Sequence, residues 1–544
     1  MDEVGVVLAM LLAVVVSGYL VRMLPVALPL PLVQIALGAL IAGTTGHGVR
    51  LEPHIFFLLF LPPLLFLDGW RIPKVGLFRD KGAILELALG LVLFTVIGAG
   101  FLIHWLIPAL PLPVSFALAA ILAPTDPVAV SSIAARVPIP PRLMHILEGE
   151  SLLNDASGLV CFRFAVAAAL TGHFSPGGAA LTFVWVALAG IAVGVLLTLV
   201  VAGAQRLAAK RFGEDAGAAI LLNLLLPFGA WLAAEHLQAS GILAAVAAGV
   251  TMSYVELRGR ALATTRVRRA VVWDTVQFAL NGVMFVLLGE QLPDIVHAAL
   301  QGPDVAVPRS LWWLASHALL VSLGLLLLRY LWVYVSLRLT VLVARRQGRK
   351  VYRPNPRLVL ATSLAGVRGA ITLAGVLTLP LALPGGAPFP GRDLVIFLAS
   401  TVIVVSLVAA SIGLPRVLRG LEVPAEDGEQ AEEDRARLAA ALAALAAIDE
   451  ASQDRPRDIE DADLHASAAD HVRSMYRHRL GGSQPGDGQV GRIREAEQAE
   501  RLYRLAALEA ERSVLQRMAR HGELSDETAR RMVREIDLIE ARYR

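Results

Sequence analysis

A chain of 544 residues that is 56% hydrophobic and only 17% charged, with a mean hydropathy of +0.62, is too apolar for a soluble protein of this size. Its formal net charge of +3 is too small to argue for nucleic acid, and its one cysteine, Cys161, excludes a disulfide within the chain. Apolar stretches of about 18 residues or more follow one another to about residue 419, the pattern of an all-α polytopic membrane protein. The sequence therefore divides into a transmembrane domain over 1–420 and a charged, Ala-rich tail over 421–544 that reads as soluble and helical.

The predicted spans run approximately over 4–21, 26–43, 54–70, 83–107, 113–135, 142–171, 178–205, 215–235, 239–256, 271–291, 310–343, 357–380 and 393–414, about thirteen in all. Asp2 and Glu3 precede the first, so it lacks the basic start of a signal peptide and reads as a retained span. Lys and Arg gather in alternate loops, such as Arg71 to Lys81, Arg206 to Arg211, Arg258 to Arg269 and Arg345 to Arg357. The loops between them, 108–112, 172–177 and 292–308, are nearly free of both. The positive-inside rule then puts the N-terminus outside and the tail in the cytoplasm, which needs an odd number of spans.

The third span carries Pro62-Pro63 and then Asp68 near its cytoplasmic end, where the carboxylate either reaches an ion site or rests in a helix interface. The fifth contains Ala123-Pro124-Thr125-Asp126-Pro127. Two prolines three apart each remove a backbone donor, so the helix is expected to break there. Asp126 before Pro127 has the pattern of an N-cap and first helical residue, which makes Asp126 a structural cap and leaves the carbonyls near Pro124 and Thr125 available to an ion.

The sixth span opens Glu148-Gly149-Glu150-Ser151-Leu152-Leu153-Asn154-Asp155 and continues apolar to Leu170. At about 1.5 Å per residue, Asp155 lies roughly 20 Å from Arg142, near mid-membrane, where a carboxylate is costly and usually functional. Ser151 and Asp155 share one helix face, with Glu148 almost directly below them. Glu150 points about 140° away from Asp155 and lies over Asn154. One face can carry a cation while the other holds the helix to a neighbour.

In the twelfth span Gly366-Val367-Arg368-Gly369 is a second interruption. Two discontinuous helices in corresponding halves are the signature of an inverted-repeat secondary transporter, with spans one to six and eight to thirteen as the repeats. At mid-depth Arg368 needs compensation, and Glu150 is its expected partner. Glu86, Arg163, Asn223, Asn281 and Arg329 are expected to find interhelical partners or to snorkel.

Three motifs, Ala123 to Val128 (A-P-T-D-P-V), Glu150 to Asp155 (E-S-L-L-N-D) and Arg368 to Ala370 (R-G-A), now bring a family into view. With Pro62-Pro63 before Asp68 and Asn281 to Gly289 (N-G-V-M-F-V-L-L-G), they make the chain resemble the bacterial sodium/proton antiporters of the monovalent cation:proton antiporter-1 family. These are the NhaP-type relatives of the eukaryotic sodium/hydrogen exchangers. The resemblance implies crossed discontinuous helices, a homodimer in the cell inner membrane, and no cofactor or nucleotide. It implies that Asp155 binds Na+ or a proton, assisted by Ser151, the Thr125 carbonyl and an acid of the third span. Glu150 and Arg368 match a buried ion pair, and Asn154 before Asp155 resembles the electroneutral branch. Asp68 falls one residue later after the proline pair than in some relatives. Glu148 is acidic where many relatives are not, and could draw cations to the cytoplasmic mouth.

Burial disfavours a charged carboxylate and a neighbouring cation favours it, so one group can trade a proton for Na+, K+ or Li+. The expected activity is secondary Na+/H+ antiport for pH and Na+ homeostasis, with K+/H+ antiport as the alternative. A cation channel is the alternative of another class, but it wants rings of ligands around a pore rather than two unlike halves with one titratable pocket. No nucleotide-binding loop supports an ATP-driven pump, and the Gly-x-Gly-Asp context of intramembrane aspartyl proteases is absent, so the chain does not read as an enzyme. In the tail, Gly522 and Ser525 mark the expected junction of a terminal helical pair. A regulatory or dimer-contact role for the tail stands beside that of a solvated appendage.

Overall fold

The computed structural model describes residues 3–23, 28–45, 53–71, 81–126, 130, 141–172, 176–213, 215–257, 263–301, 310–346, 356–384, 386–419, 427–453, 462–481, 489–521 and 526–543. The chain forms two compact units, Met1–Leu421 and Glu422–Arg544.

The first unit is all-helical in its described elements. In chain order these are α1 (Glu3–Met23), α2 (Leu30–Thr45), α3 (Pro53–Arg71), α4 (Lys81–Leu85), a π-helical turn (Glu86–Leu91), α5 (Val92–Leu106), α6 (Leu112–Leu122), α7 (Pro141–Thr171), α8 (Pro176–Phe212), α9 (Ala216–His236) and α10 (Gly241–Leu257). They continue with α11 (Ala263–Gln301), α12 (Leu311–Arg346), α13 (Pro356–Leu364), α14 (Ala370–Leu377) and α15 (Arg392–Leu418). The predicted spans fall on these elements, the fourth on three of them in succession, and the second half of the fifth, from residue 127, lies largely outside the described residues. Eight helices among the described residues are long and apolar enough to cross a membrane, and three more apolar helices are shorter. Large apolar side chains such as Leu12, Trp185, Val200 and Trp312 are exposed on the outside, as lipid contact requires.

The shortness of α6, α13 and α14 has a local cause. Helix α6 stops at Leu122, and Pro124 to Asp126 form no regular element, because Pro124 has no N–H to donate to the preceding turn. The segment Ala365 to Gly369 likewise separates α13 from α14. The two interruptions meet, since the Asp126 amide donates to the Val367 carbonyl at 2.7 Å.

Glycines let the backbones of two further helix pairs touch. A Cβ at Gly69 on α3 would run into the Val246 carbonyl of α10, and one at Gly249 on α10 into the Phe66 carbonyl of α3. Gly38 on α2 and Gly289 on α11 meet the Val286 and Ile35 carbonyls in the same way. Any side chain at these positions would push the helices apart.

The second unit holds α16 (Asp427–Gln453), α17 (Ala462–Gly481), α18 (Gln489–Arg520) and α19 (Asp526–Tyr543). Arg473 of α17 bonds Asp449 of α16, and Arg512 of α18 bonds Asp537 and Glu540 of α19. Leu508 and Ile536 are buried. The expected junction at Gly522 and Ser525 lies outside the described residues, between the end of α18 and the start of α19.

Candidate ion-binding site

Helix α7 packs beside the first interruption, and glycine decides how closely. A Cβ at Gly158 would collide with the Pro124 ring and lie 2.9 Å from the Ala120 carbonyl, so this glycine lets the break in α6 rest on α7 one turn beyond Asp155. Gly149, at the other end of the acidic stretch, makes room for Ile84 in the same manner. The side chains brought together are Thr125, Glu150, Ser151, Asn154 and Asp155, all buried.

The face of α7 turned from Asp155 is tied to its neighbours, although Asn154 Oδ1 has no partner among the described residues. Glu150 is 1% exposed and takes a bidentate pair from Arg329 of α12, NH1 to Oε1 at 2.6 Å and NH2 to Oε2 at 2.8 Å. Arg329 spends its Nε on the Thr362 carbonyl at 3.2 Å. The Thr125 hydroxyl donates to Glu150 Oε1 at 3.0 Å and accepts from Asn154 Nδ2 at 3.1 Å. Asn154 Nδ2 also lies 3.4 Å from the Thr125 carbonyl. Glu150 and Asn154 thus fasten the unwound Thr125 to α7.

This corrects the expected partner of Glu150, which is Arg329 rather than Arg368. Helix α12 is unbroken around Arg329, so its own carbonyls are occupied and only a foreign carboxylate can compensate the charge. Arg368 has another supply. It donates Nε to the Leu122 carbonyl at 3.0 Å and NH1 to the Gly366 carbonyl at 2.6 Å, while its amide reaches Ser406 Oγ at 3.1 Å. These carbonyls are freed by the two interruptions, so the guanidinium sits at the negative ends of broken helices. It still lies within electrostatic range of Glu150 and Arg329. Both glycines around it have a use: a Cβ at Gly366 would lie 2.6 Å from Arg329 Cδ and Nε, and one at Gly369 would overlap the Asp126 carboxylate.

Asp126 therefore lies against Gly369, at the N-terminal end of α14. The helix it is expected to cap, with Pro127 as its first residue, lies outside the described residues apart from Val130.

The other face of α7 is chemically open. Asp155 is 4% exposed and makes no hydrogen bond or ion pair with a described residue, yet lies within electrostatic range of Asp126 and Asp68. Ser151 is buried one turn before it. Asp68 on α3 is half-buried, also without a bonded partner among the described residues, and lies within electrostatic range of Glu148. Glu148 is half-buried beside His145. A carboxylate that is buried but unbonded can hold a proton or a cation in turn, and cannot stay bare.

Arg329 is the residue that sequence reasoning leaves among generic interhelical partners. The available signal is that two intramembrane arginines compete for one carboxylate, and only Arg368 has free carbonyls next to it.

Comparison with known proteins places this geometry. The pattern of the family described as "Sodium/hydrogen exchanger, transmembrane" matches residues 9–420. The chain is 40% identical over 541 residues to the "Uncharacterized Na(+)/H(+) exchanger YjcE" of Escherichia coli, covering 98% of each. It is 38% identical to the "Sodium, potassium, lithium and rubidium/H(+) antiporter" of Bacillus subtilis, over 100% of this chain and 78% of that one. Among solved structures, the sodium proton antiporter MjNhaP1 from Methanocaldococcus jannaschii has a similar fold, with a TM-score of 0.58 at 19% identity over 77% of this chain and 98% of that chain. With its membrane unit matched nearly end to end and a full-length relative at this identity, the chain belongs to the sodium/hydrogen exchanger family of secondary transporters.

Proposed function

We propose that the chain is a secondary active antiporter that exchanges cytoplasmic Na+ for external H+ by alternating access, with Asp155 as the group for which the two compete. One observation carries the reading. Of two buried carboxylates on opposite faces of α7, Glu150 is neutralised by a bidentate arginine and Asp155 has no bonded partner among the described residues. Ser151, the Thr125 carbonyl and Asp68 complete the cation's oxygen ligands in this reading. Asn154, Asp126, Glu150 and Arg368 hold the break in place, and Glu148 draws cations toward the site. With Asn rather than a second acid at 154, Asp155 is the single titrating carrier, so one cation moves per proton and transport is electroneutral.

Around this site we place thirteen spans in two inverted repeats. The reading is supported by the glycine crossings. The third span packs on the ninth through Phe66/Gly69 and Val246/Gly249, and the second on the tenth through Ile35/Gly38 and Val286/Gly289. A carbonyl followed three residues later by a glycine recurs on all four helices, and the pairing is the one that a two-fold axis between the halves requires. Loop charges support an outside N-terminus and a cytoplasmic tail over 421–544, for which a regulatory role is proposed. The family resemblance supports a homodimer in the cell inner membrane.

K+/H+ exchange is the second reading, favoured by the name of the Bacillus subtilis relative, which includes potassium, lithium and rubidium. Proteoliposomes with an imposed pH gradient test both. Na+ is expected to dissipate the gradient with intact protein and not with Asp155→Asn. Exchange at normal rates by the variant would overturn the site, and a response to K+ alone would move the second reading forward.

A further inference from the structure

Asp68 and Arg71 are three apart on α3, the spacing at which a carboxylate and a guanidinium pair on one helix face. They do not pair. Arg71 reaches away to α11, donating NH1 to Gln277 Oε1 at 2.7 Å and NH2 to Asp274 Oδ1. Asp68 has no bonded partner among the described residues, although Arg71 remains within electrostatic range of it. The chain between them is held as well. Gly69 is pressed against the Val246 carbonyl, and Trp70 Nε1 donates to Glu256 Oε2 of α10 at 2.8 Å. Glu256 is in turn paired with the buried Arg269 of α11. Two residues before Asp68, Phe66 stacks on Trp273 of α11 with centroids 5.4 Å apart, and Trp273 donates to Asn223 at 2.7 Å.

We propose that Asp274 and Gln277 are positioning residues that hold the Arg71 guanidinium off Asp68, so that the Asp68 carboxylate stays open to the transported cation. The physical reason is competition. A tethered guanidinium one helical turn away is an internal cation, and if it settles on Asp68 the arriving Na+ must displace it. Asp274 and Gln277 offer Arg71 three acceptor oxygens on a neighbouring helix, while the Trp70–Glu256–Arg269 link stops the end of α3 from turning toward it. Arg71 and Asp274 are 39% and 64% exposed, so the tether is a modest one that ordinary variants can tip. The inference rests on the reading of Asp68 as a cation ligand.

The test is the Na+ dependence of exchange by the full chain in proteoliposomes, measured for Asp274→Ala, Arg71→Ala, the double variant and Asp68→Asn. Asp274→Ala is expected to raise the apparent KM for Na+ severalfold with the maximal rate retained. Arg71→Ala alone should leave KM unchanged or lower it. The double variant should return KM to the starting value, because with Arg71 gone there is nothing left to hold away. If the salt bridge were only structural, both single variants would impair transport alike and the double variant would rescue nothing, and that outcome overturns the proposal. Asp68→Asn separates the two layers of the argument. An unchanged KM there removes Asp68 from the ligand set and the inference with it, whereas a raised KM without an effect of Asp274→Ala overturns the tether alone.

Discussion

Removing Arg329 leaves Glu150 as an uncompensated carboxylate at 1% exposure, which makes Arg329→Gln the most informative perturbation of the buried network. Breaking a buried ion pair from one side costs about 3–5 kcal/mol, because the remaining charge keeps its desolvation penalty and loses its counter-charge. At about 1.4 kcal/mol per power of ten, this lowers the folded fraction relative to the unfolded by roughly two to three and a half powers of ten. Replacing both partners removes the orphan charge, so Glu150→Gln with Arg329→Gln should recover most of the loss, a coupling of about 3 kcal/mol. Arg368→Gln behaves differently. It strands the Leu122 and Gly366 carbonyls, at about 1–3 kcal/mol for each group left unsatisfied, and adding Glu150→Gln makes matters worse by exposing Arg329 to the same penalty. Thermal unfolding of the detergent-solubilised protein, followed by loss of the monodisperse species, reads all four variants. Rescue of Arg368→Gln by Glu150→Gln, without rescue of Arg329→Gln, would refute the pairing.

Two further outcomes follow from the same contacts. Asn154→Asp removes the donor that ties α7 to Thr125 and places a second acid beside Asp155, so it should destabilise the protein by about 1–3 kcal/mol and make exchange sensitive to membrane potential, read as a change of rate under a K+ diffusion potential with valinomycin. Gly289→Ala drives a methyl group into the Ile35 carbonyl, and Gly249→Ala does the same at Phe66; each should cost about 1–3 kcal/mol in thermal stability, whereas Gly43→Ala, with nothing within 4 Å, should be silent.

The apolar periodicity placed the helices well because membrane spans must satisfy their own backbone, and prolines 124 and 127 marked one interruption for the same reason. The face assignment on α7 also followed from spacing alone: Glu150 bonds a neighbour and Asp155 does not. What spacing could not supply was the identity of that neighbour, since Arg329 on α12 and Glu150 on α7 lie 179 residues apart and meet only in the folded chain. The choice between two arginines turns on which one has free carbonyls, and that depends on where the broken ends come to rest. The glycine crossings were hidden for a related reason. Gly38, Gly69, Gly249 and Gly289 share a spacing to a partner carbonyl rather than a common sequence, so no internal identity betrays the proposed repeat.

The arrangement divides labour between charges that must stay and one that must change. Asp68, Asp126 and Asp155 lie within electrostatic range of one another, and Glu150 lies by the guanidiniums of Arg329 and Arg368. Arg329 is consumed by Glu150, and Arg368 is consumed by the carbonyls of broken helices. Neither is free to neutralise Asp155, and Arg71, the next basic side chain along α3, is drawn away to Asp274. A buried carboxylate from which every nearby fixed cation among the described residues is withheld can become neutral only by taking a mobile one. In the proposed reading that mobile charge is either a proton or a metal cation, and a site that must always hold one of the two, with Asp155 as its one titrating carrier, exchanges them.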